Sequence, residues 1–380
     1  EAEASYRRAV QLEPDYAEAH SNLGNLLQGL GKLEESEFSL RQAIELNPDY
    51  VEAHINLGNV LQELGRIDEA QTSYRQALVL KPDHAKTRYN LGTLLHSVRQ
   101  YEEASEFLKG NKEKNAQSYL LKCLYQLDDS ARFYDQLDLM TAEGEISATM
   151  GSLTMRAENR YGVKRTNVFA KEPFKYVQKT DLSERYDFKD VFVKTVKETL
   201  NDKVFSSKAQ GLLTNGEQTA GNLFLKGTDS IKEIERILYA EIDEYRERFQ
   251  GCEEGFLINW PTQFELNGWL IQMKSGGELA AHMHEAGWLS GAVYINVPEK
   301  KQANSGDFVV CVDDEASEES GSAGREEIVE VNTGNLVLFP ASLMHYTIPF
   351  ESNEERIVLA FDVRPVSLNE LEMDEGVLET

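Results

Sequence analysis

The first 110 residues repeat one pattern of apolar and polar positions every 34 residues. Pro14, Pro48 and Pro82 keep this spacing, as do Gly24, Gly58 and Gly92, Leu23, Leu57 and Leu91, and Ala9, Ala43 and Ala77. A period of this length is that of repeat architectures, here read as one pair of helices per period. Small residues at fixed positions let the paired helices approach closely, and each proline stops the second helix. One pair cannot bury its own apolar face, so the pairs are expected to stack into an all-α solenoid. Residues 1–16 match only the second helix of a period (Ala2, Tyr6, Ala9, Pro14), which predicts an array truncated at Glu1. Asn111 stands where Ala43 and Ala77 stood, so the regular array, 1–110, is expected to end near Gly110.

Beyond it the pattern stays helical to Arg160 (Tyr119, Leu120, Leu121, Leu124, Tyr125, Leu127) but loses its period, and 111–164 reads as a helical connector. Residues 167–177 read as a loop and strand containing Pro173, and 186–202 and 228–249 as helices. The second of these helices carries Ile231, Ile234, Ile237, Leu238 and Ile242 on one face, suited to covering a sheet. From Leu266 the texture changes to short runs rich in Val, Ile, Phe, Tyr and Trp, punctuated by glycine: 266–274, 288–297, 307–312, 327–331, 335–339, 344–349 and 356–363. Seven or eight short strands predict a sandwich or jelly roll over 165–366, with Trp269 and Trp288 as core or barrel lining. The polar run 313–324 reads as a loop, either a lid or a solvated hairpin, and 367–380 as an acidic tail, a short helix or unstructured. The chain is thus read as an α+β multidomain protein.

The 34-residue period, with Leu-Gly in the first helix, a small residue opening the second and Pro at its end, resembles the tetratricopeptide repeat. That resemblance implies a concave surface for a peptide or protein, a candidate substrate of whatever follows. His20 and His54 occupy the same repeat position, His84 stands where Tyr16 and Tyr50 stand, and His96 falls late in a first helix. All four read as packing residues, which leaves three histidines for the rest of the chain.

A formal net charge of −26 argues against a nucleic-acid partner, because an acidic surface repels phosphates. The acidity either keeps the protein soluble or suits a basic partner. Cys123, Cys252 and Cys311 are far apart and form no CxxC, which excludes a thiolate zinc site and fits a reducing compartment. All three read as buried, inert thiols. No apolar stretch approaches the ~18–20 residues that span a bilayer and no signal peptide is visible, so no membrane partner and a cytoplasmic location are expected.

The remaining histidines are His282, His284 and His345. On a strand, residues two apart share a face, so His282 and His284 project together. Two ligands on one strand and a third from a distant strand hold one metal facially, with other positions left open; this reads as a non-haem iron site. His282-x-His284, the glycine six residues before it, Leu289-Ser290-Gly291-x-x-Tyr294, Gly334-x-Leu336-x-Leu338-Phe339-Pro340, His345 and Arg356 together resemble the 2-oxoglutarate- and Fe(II)-dependent oxygenases, particularly their prolyl-hydroxylase-like branch.

The resemblance implies a double-stranded β-helix with Fe(II), 2-oxoglutarate and O2 as cofactor and cosubstrates, hydroxylating a substrate C–H. It assigns His282, His284 and His345 to the metal and Arg356 to the far carboxylate of 2-oxoglutarate, a group that guanidinium matches bidentately. Gln272 could add a hydrogen bond to the cosubstrate. The chain departs from the usual pattern in one place: His284 stands where the family carries Asp or Glu, leaving the iron one negative charge poorer. Glu285 is the next carboxylate, turned away by strand alternation unless a bulge restores it. Asp362, near the end of the Arg356 strand, suits a barrel mouth or a turn. Two other readings stay open: a non-catalytic repeat scaffold with a degenerate barrel, and a three-histidine dioxygenase that does not use 2-oxoglutarate.

Overall fold

The computed structural model describes residues 2–113, 115–202, 206–208, 210–313 and 325–366. Two compact units divide between Glu143 and Gly144, inside the stretch read as a connector. Most of the 313–324 run and all of the tail from Ser367 lie outside the described residues.

The first unit is all helix: α1 (Ala2–Leu12), α2 (Ala17–Gly29), α3 (Leu33–Leu46), α4 (Val51–Glu63), α5 (Ile67–Leu80), α6 (Ala85–Ser97), α7 (Tyr101–Leu108), α8 (Ala116–Gln126) and α9 (Ser130–Ala142). Each packs on its neighbour in chain order. The glycine period has a steric cause. A Cβ on Gly24, Gly58 or Gly92 would come within 2.6 Å of Leu40, 2.5 Å of Tyr74 or 2.7 Å of Leu108, each on the second helix of its pair. Arg41–Glu69, Arg66–Glu37 and Arg75–Glu103 link neighbouring periods, and Arg132–Glu102 continues the series into α9. Arg41–Glu69, Arg75–Glu103 and Arg132–Glu102 are exposed and contribute little each, whereas Glu37 of the Arg66 pair is half-buried. The helical packing therefore runs past the point where the sequence period fades at Asn111.

The second unit opens with α10 (Ala148–Tyr161) and then a 3-10 turn at Pro173–Tyr176 where a strand was expected. The ring of Pro173 fixes φ at the first position of this turn. The strand, β1 (Gln178–Asp181), follows two residues later. A π-turn (Lys189–Lys194) continues into α11 (Thr195–Asn201), and α12 spans Asp229–Arg248. The other strands are β2 (Ser207–Lys208), β3 (Leu213–Thr219), β4 (Phe264–His282), β5 (Leu289–Asn296), β6 (Phe308–Cys311), β7 (Glu326–Val329), β8 (Asn335–Pro340), β9 (Met344–Thr347) and β10 (Arg356–Pro365). They form one antiparallel, nearly closed sheet in the order β1-β8-β5-β10-β4-β9-β6-β7, with β3 also paired to β4 and β2 to β3. This is the jelly-roll architecture expected from the run of short strands.

Alternation divides each strand between two cores. Leu289, Val293, Leu338, Leu359 and Phe361 pack against α12 and Phe192. Ala292, Tyr294, Phe308, Phe339 and Val358 fill the inside of the barrel. β4 spans the sheet from one neighbour to the other, because its first half pairs with β10 and its end pairs with β9. It bends at Gly276-Gly277. Gly276 has φ +73°, and a Cβ on Gly277 would lie 2.7 Å from the Lys274 carbonyl oxygen. Glycine is what this corner allows, and the corner carries His282 to the barrel interior.

Candidate metal centre

His282 ends β4 and is the cross-strand partner of His345 in β9. His284 lies two residues beyond the strand end, so the turn there places it, rather than strict alternation. The ring centroids are 4.3 Å (His282–His345), 4.8 Å (His284–His345) and 5.1 Å (His282–His284) apart. One ring nitrogen from each lies within 4.8 Å of the others, a group that could hold a metal ion. Glu285 is exposed in the turn and does not join the group.

The Nδ1 atoms show which nitrogens are available. His282 Nδ1 lies 2.8 Å from the Ala280 carbonyl oxygen, and His345 Nδ1 lies 3.4 Å from that of Leu343. A carbonyl only accepts, so both Nδ1 atoms carry the proton. His284 Nδ1 lies 2.6 Å from Asp362 Oδ1 and donates likewise. Burial, then the charge of His284, pushes the His282 imidazole down to about 4. Burial and the other two rings hold His345 well below its ordinary value. The His282 and His345 imidazoles are therefore neutral near pH 7. His282 Nε2 and His284 Nε2 face each other at 3.2 Å. Three ring nitrogens gathered within 4.8 Å of one another are an arrangement a cation can complete, and imidazole nitrogen suits iron, zinc, copper or nickel.

The three rings line one cavity of about 390 Å³ together with Arg356. Phe308 and Phe339 pack on His345, and Trp269 stands edge-on to His284 at 5.2 Å. Trp288 instead lies in the outer core, its indole N–H donating to the Phe256 carbonyl. Arg356 is 2 % exposed; its Nε donates to the Gly306 carbonyl oxygen at 3.2 Å, and its guanidinium carbon sits 5.1 Å from the centroid of the Tyr294 ring. Burial lowers its pKa, an effect opposed by Tyr294 and Asp307. Among the described residues no carboxylate forms an ion pair with it. A buried guanidinium without an anion is costly, and a carboxylate ligand would remove that cost.

Gln272 does not reach this cavity. Its β4 neighbours Trp269, Ile271 and Met273 line the space, whereas alternation turns Gln272 to the other face, where its amide donates to Glu355. For Asp362 the structure decides between the two places the sequence left open, a barrel mouth and a turn, in favour of the first. Asp362 lies within β10 rather than in a turn, is 2 % exposed, and accepts from both His284 and Ser290. Tyr294 and Ser290 were likewise seen only as parts of a motif. The signal for all three was parity: even positions of β10 (356, 358, 360, 362) and of β5 (290, 292, 294) face one side. Of the cysteines, Cys123 and Cys311 are buried, with the Cys123 thiol pushed up to about 12 by burial, whereas Cys252 is half-exposed.

Residues 267–362 match the family model described as "Putative 2OG-Fe(II) oxygenase". Residues 49–109 match "Tetratricopeptide repeat", and 1–31 and 29–65 match "TPR repeat". The chain therefore carries tetratricopeptide repeats followed by a domain of the 2OG-Fe(II) oxygenase type. No curated protein matches the sequence. Solved structures similar to part of the chain include "Crystal structure of YrrB: a TPR protein with an unusual peptide-binding site", at 20 % identity over 41 % of this chain and 84 % of that one, TM-score 0.38. PilF of Pseudomonas aeruginosa is similar at 20 % identity over 41 % and 74 %, TM-score 0.36, and MamA at 18 % over 38 % and 90 %, TM-score 0.34. Among the described residues no helix is long and apolar enough to cross a membrane.

Proposed function

We propose that this protein is an Fe(II)- and 2-oxoglutarate-dependent dioxygenase that hydroxylates a C–H bond of a protein or peptide recruited by its repeats, in a reducing, cytoplasmic setting. The observation that carries this reading is the shared cavity: three converging imidazoles and a buried arginine that forms no ion pair among the described residues. His282, His284 and His345 would hold the iron, and Arg356, steadied by Gly306 and Tyr294, would hold the far carboxylate of 2-oxoglutarate. When bound, iron with 2-oxoglutarate and O2 supplies the oxidising chemistry, in which one oxygen atom enters the substrate C–H and the other leaves in succinate as CO2 is released. The protein's part is to orient and to exclude water. Phe308, Phe339, Ile271 and Val358 give the inner wall an apolar part suited to keeping water from the imidazoles.

A three-histidine dioxygenase without 2-oxoglutarate would share the imidazole cluster but leave Arg356 with no anion to bind. Anaerobic titration with Fe(II) and then 2-oxoglutarate separates these readings. A visible charge-transfer band that appears in the parent, and disappears in both His282→Ala and Arg356→Ala, is the expected result. Iron binding without a band would favour the three-histidine enzyme. No iron binding would leave a repeat scaffold with a degenerate barrel.

A further inference from the structure

The three imidazoles are not held alike. His282 and His345 donate Nδ1–H to main-chain carbonyls, which are neutral, whereas His284 donates to a carboxylate. We propose that Asp362 is a positioning residue of the metal centre: it fixes His284 with Nδ1–H outward and Nε2 inward, and it returns to the site the negative charge that three imidazoles lack. The proposal rests on the metal reading of the cluster.

The geometry has three parts. Asp362 shares the inner face of β10 with Arg356, and its cross-strand partner on β5 is Ser290. Asp362 Oδ1 accepts from His284 Nδ1 at 2.6 Å and from Ser290 Oγ at 2.8 Å, and Ser290 is 1 % exposed. Two donors therefore fix one carboxylate oxygen in a nearly dry place. The turn after His284 closes against it as well, since a Cβ on Gly287 would sit 3.2 Å from the same Oδ1.

Among the described residues no lysine or arginine forms an ion pair with Asp362, so its charge is directed to His284. A histidine that donates to a carboxylate is a stronger electron donor through its other nitrogen. A set of two imidazoles and one carboxylate brings a full negative charge into contact with the metal. Here the charge stands one residue behind the ligand, transmitted through the His284 ring. The cluster thus has the electrostatics of a carboxylate-containing site with three nitrogen donors in contact.

Two measurements test this on the full chain. The first is the His284 ring tautomer in metal-free protein, read by ring-nitrogen NMR. The parent should show Nδ1–H, and Asp362→Ala should lose that preference, an effect that a merely structural role for the carboxylate would not produce. The second is Co(II) affinity by absorption titration. Asp362→Asn, which keeps an acceptor but removes the charge, should weaken binding by about 10–100-fold, the range for such outer partners of metal-bound histidines. Ser290→Ala should weaken it less, and answers the question if the Asp362 variants do not fold. An unchanged tautomer, or an unchanged Co(II) affinity in Asp362→Asn, would overturn the proposal. If the parent itself binds no Co(II), or binds it equally well in His282→Ala, the metal reading fails instead, and the tautomer still decides what Asp362 does to His284.

Discussion

His20 and His54, 34 residues apart, place Nε2 2.9 and 2.8 Å from the carbonyl oxygens of Pro14 and Pro48, respectively. Each ring ties a helix to the turn before it, and the tie recurs because the period recurs. In the barrel the bonds run the other way. His282, His284 and His345 place Nδ1 against neighbouring acceptors, and the Nε2 atoms of His282 and His284 meet each other at 3.2 Å. A histidine whose surroundings repeat along the chain is explained by packing. Histidines from separate elements whose ring nitrogens converge within 4.8 Å of one another are not, because no repeated neighbour accounts for that convergence.

The contrast can be broken at its strongest point. His345→Ala should abolish Fe(II) or Co(II) binding, weakening it by more than the ~100-fold that outer partners alone can cost, as read by anaerobic titration. Equal binding in parent and variant would make the barrel histidines packing residues too. Next in size is Arg356→Ala. Removing one side of a buried charged pair costs about 2–5 kcal/mol. Apparent 2-oxoglutarate affinity should therefore fall by at least ten-fold while metal affinity stays put, and unchanged turnover without 2-oxoglutarate would contradict the proposed role. Gly58→Ala should act only in the repeats. Its new Cβ would meet the Tyr74 ring at 2.5 Å, so overpacking should cost about 1–3 kcal/mol of repeat stability in urea, with Co(II) binding unaffected.

The repeats were legible because their constraint is local and periodic: Leu-Gly at positions 23, 57 and 91 marks the same close helix contact three times. Where the residues stop repeating the packing does not, and α8 and α9 could be recognised as helices but not as further members of the stack. In the barrel, His282, His284, His345 and Arg356 were legible as spacing and residue type, and the structure brings them to one cavity. The faces of Gln272 and Asp362 were not legible, because the face a side chain takes is set by its parity along the strand and by the pairing of β4 with β10. With the register known, Gln272 falls outside and Asp362 inside. β1 and β3 escaped notice because short, polar runs such as Gln178–Asp181 and Leu213–Thr219 lack the apolar alternation by which strands are recognised.

Metal-free protein should also feel the inward histidines through pH. The folded pKa of His282 lies near 4, and that of His345 is also depressed, against about 6.5 for an unfolded histidine. Between those values the unfolded chain binds more protons, so stability is full above about pH 6.5 and is lost as pH falls toward 4. Chemical unfolding of metal-free protein across that window should show this slope, and His282→Asn should flatten it. A slope of the opposite sign would mean that the rings are protonated in the fold.

The smallest expected effect lies on the other side of the comparison. His54 is 8 % exposed, and its one structural task visible here is the bond from Nε2–H to the Pro48 carbonyl. His54→Ala deletes that bond and some packing. A neutral hydrogen bond of this kind contributes about 0.5–1.5 kcal/mol, so a loss near 1 kcal/mol in urea unfolding is expected, with Co(II) affinity and 2-oxoglutarate response equal to the parent's. His20→Ala should cost a similar amount, because the period gives it the same partner. If either substitution altered metal binding, the division between periodic and convergent histidines would be wrong, and the repeats would have to be counted as part of the chemistry.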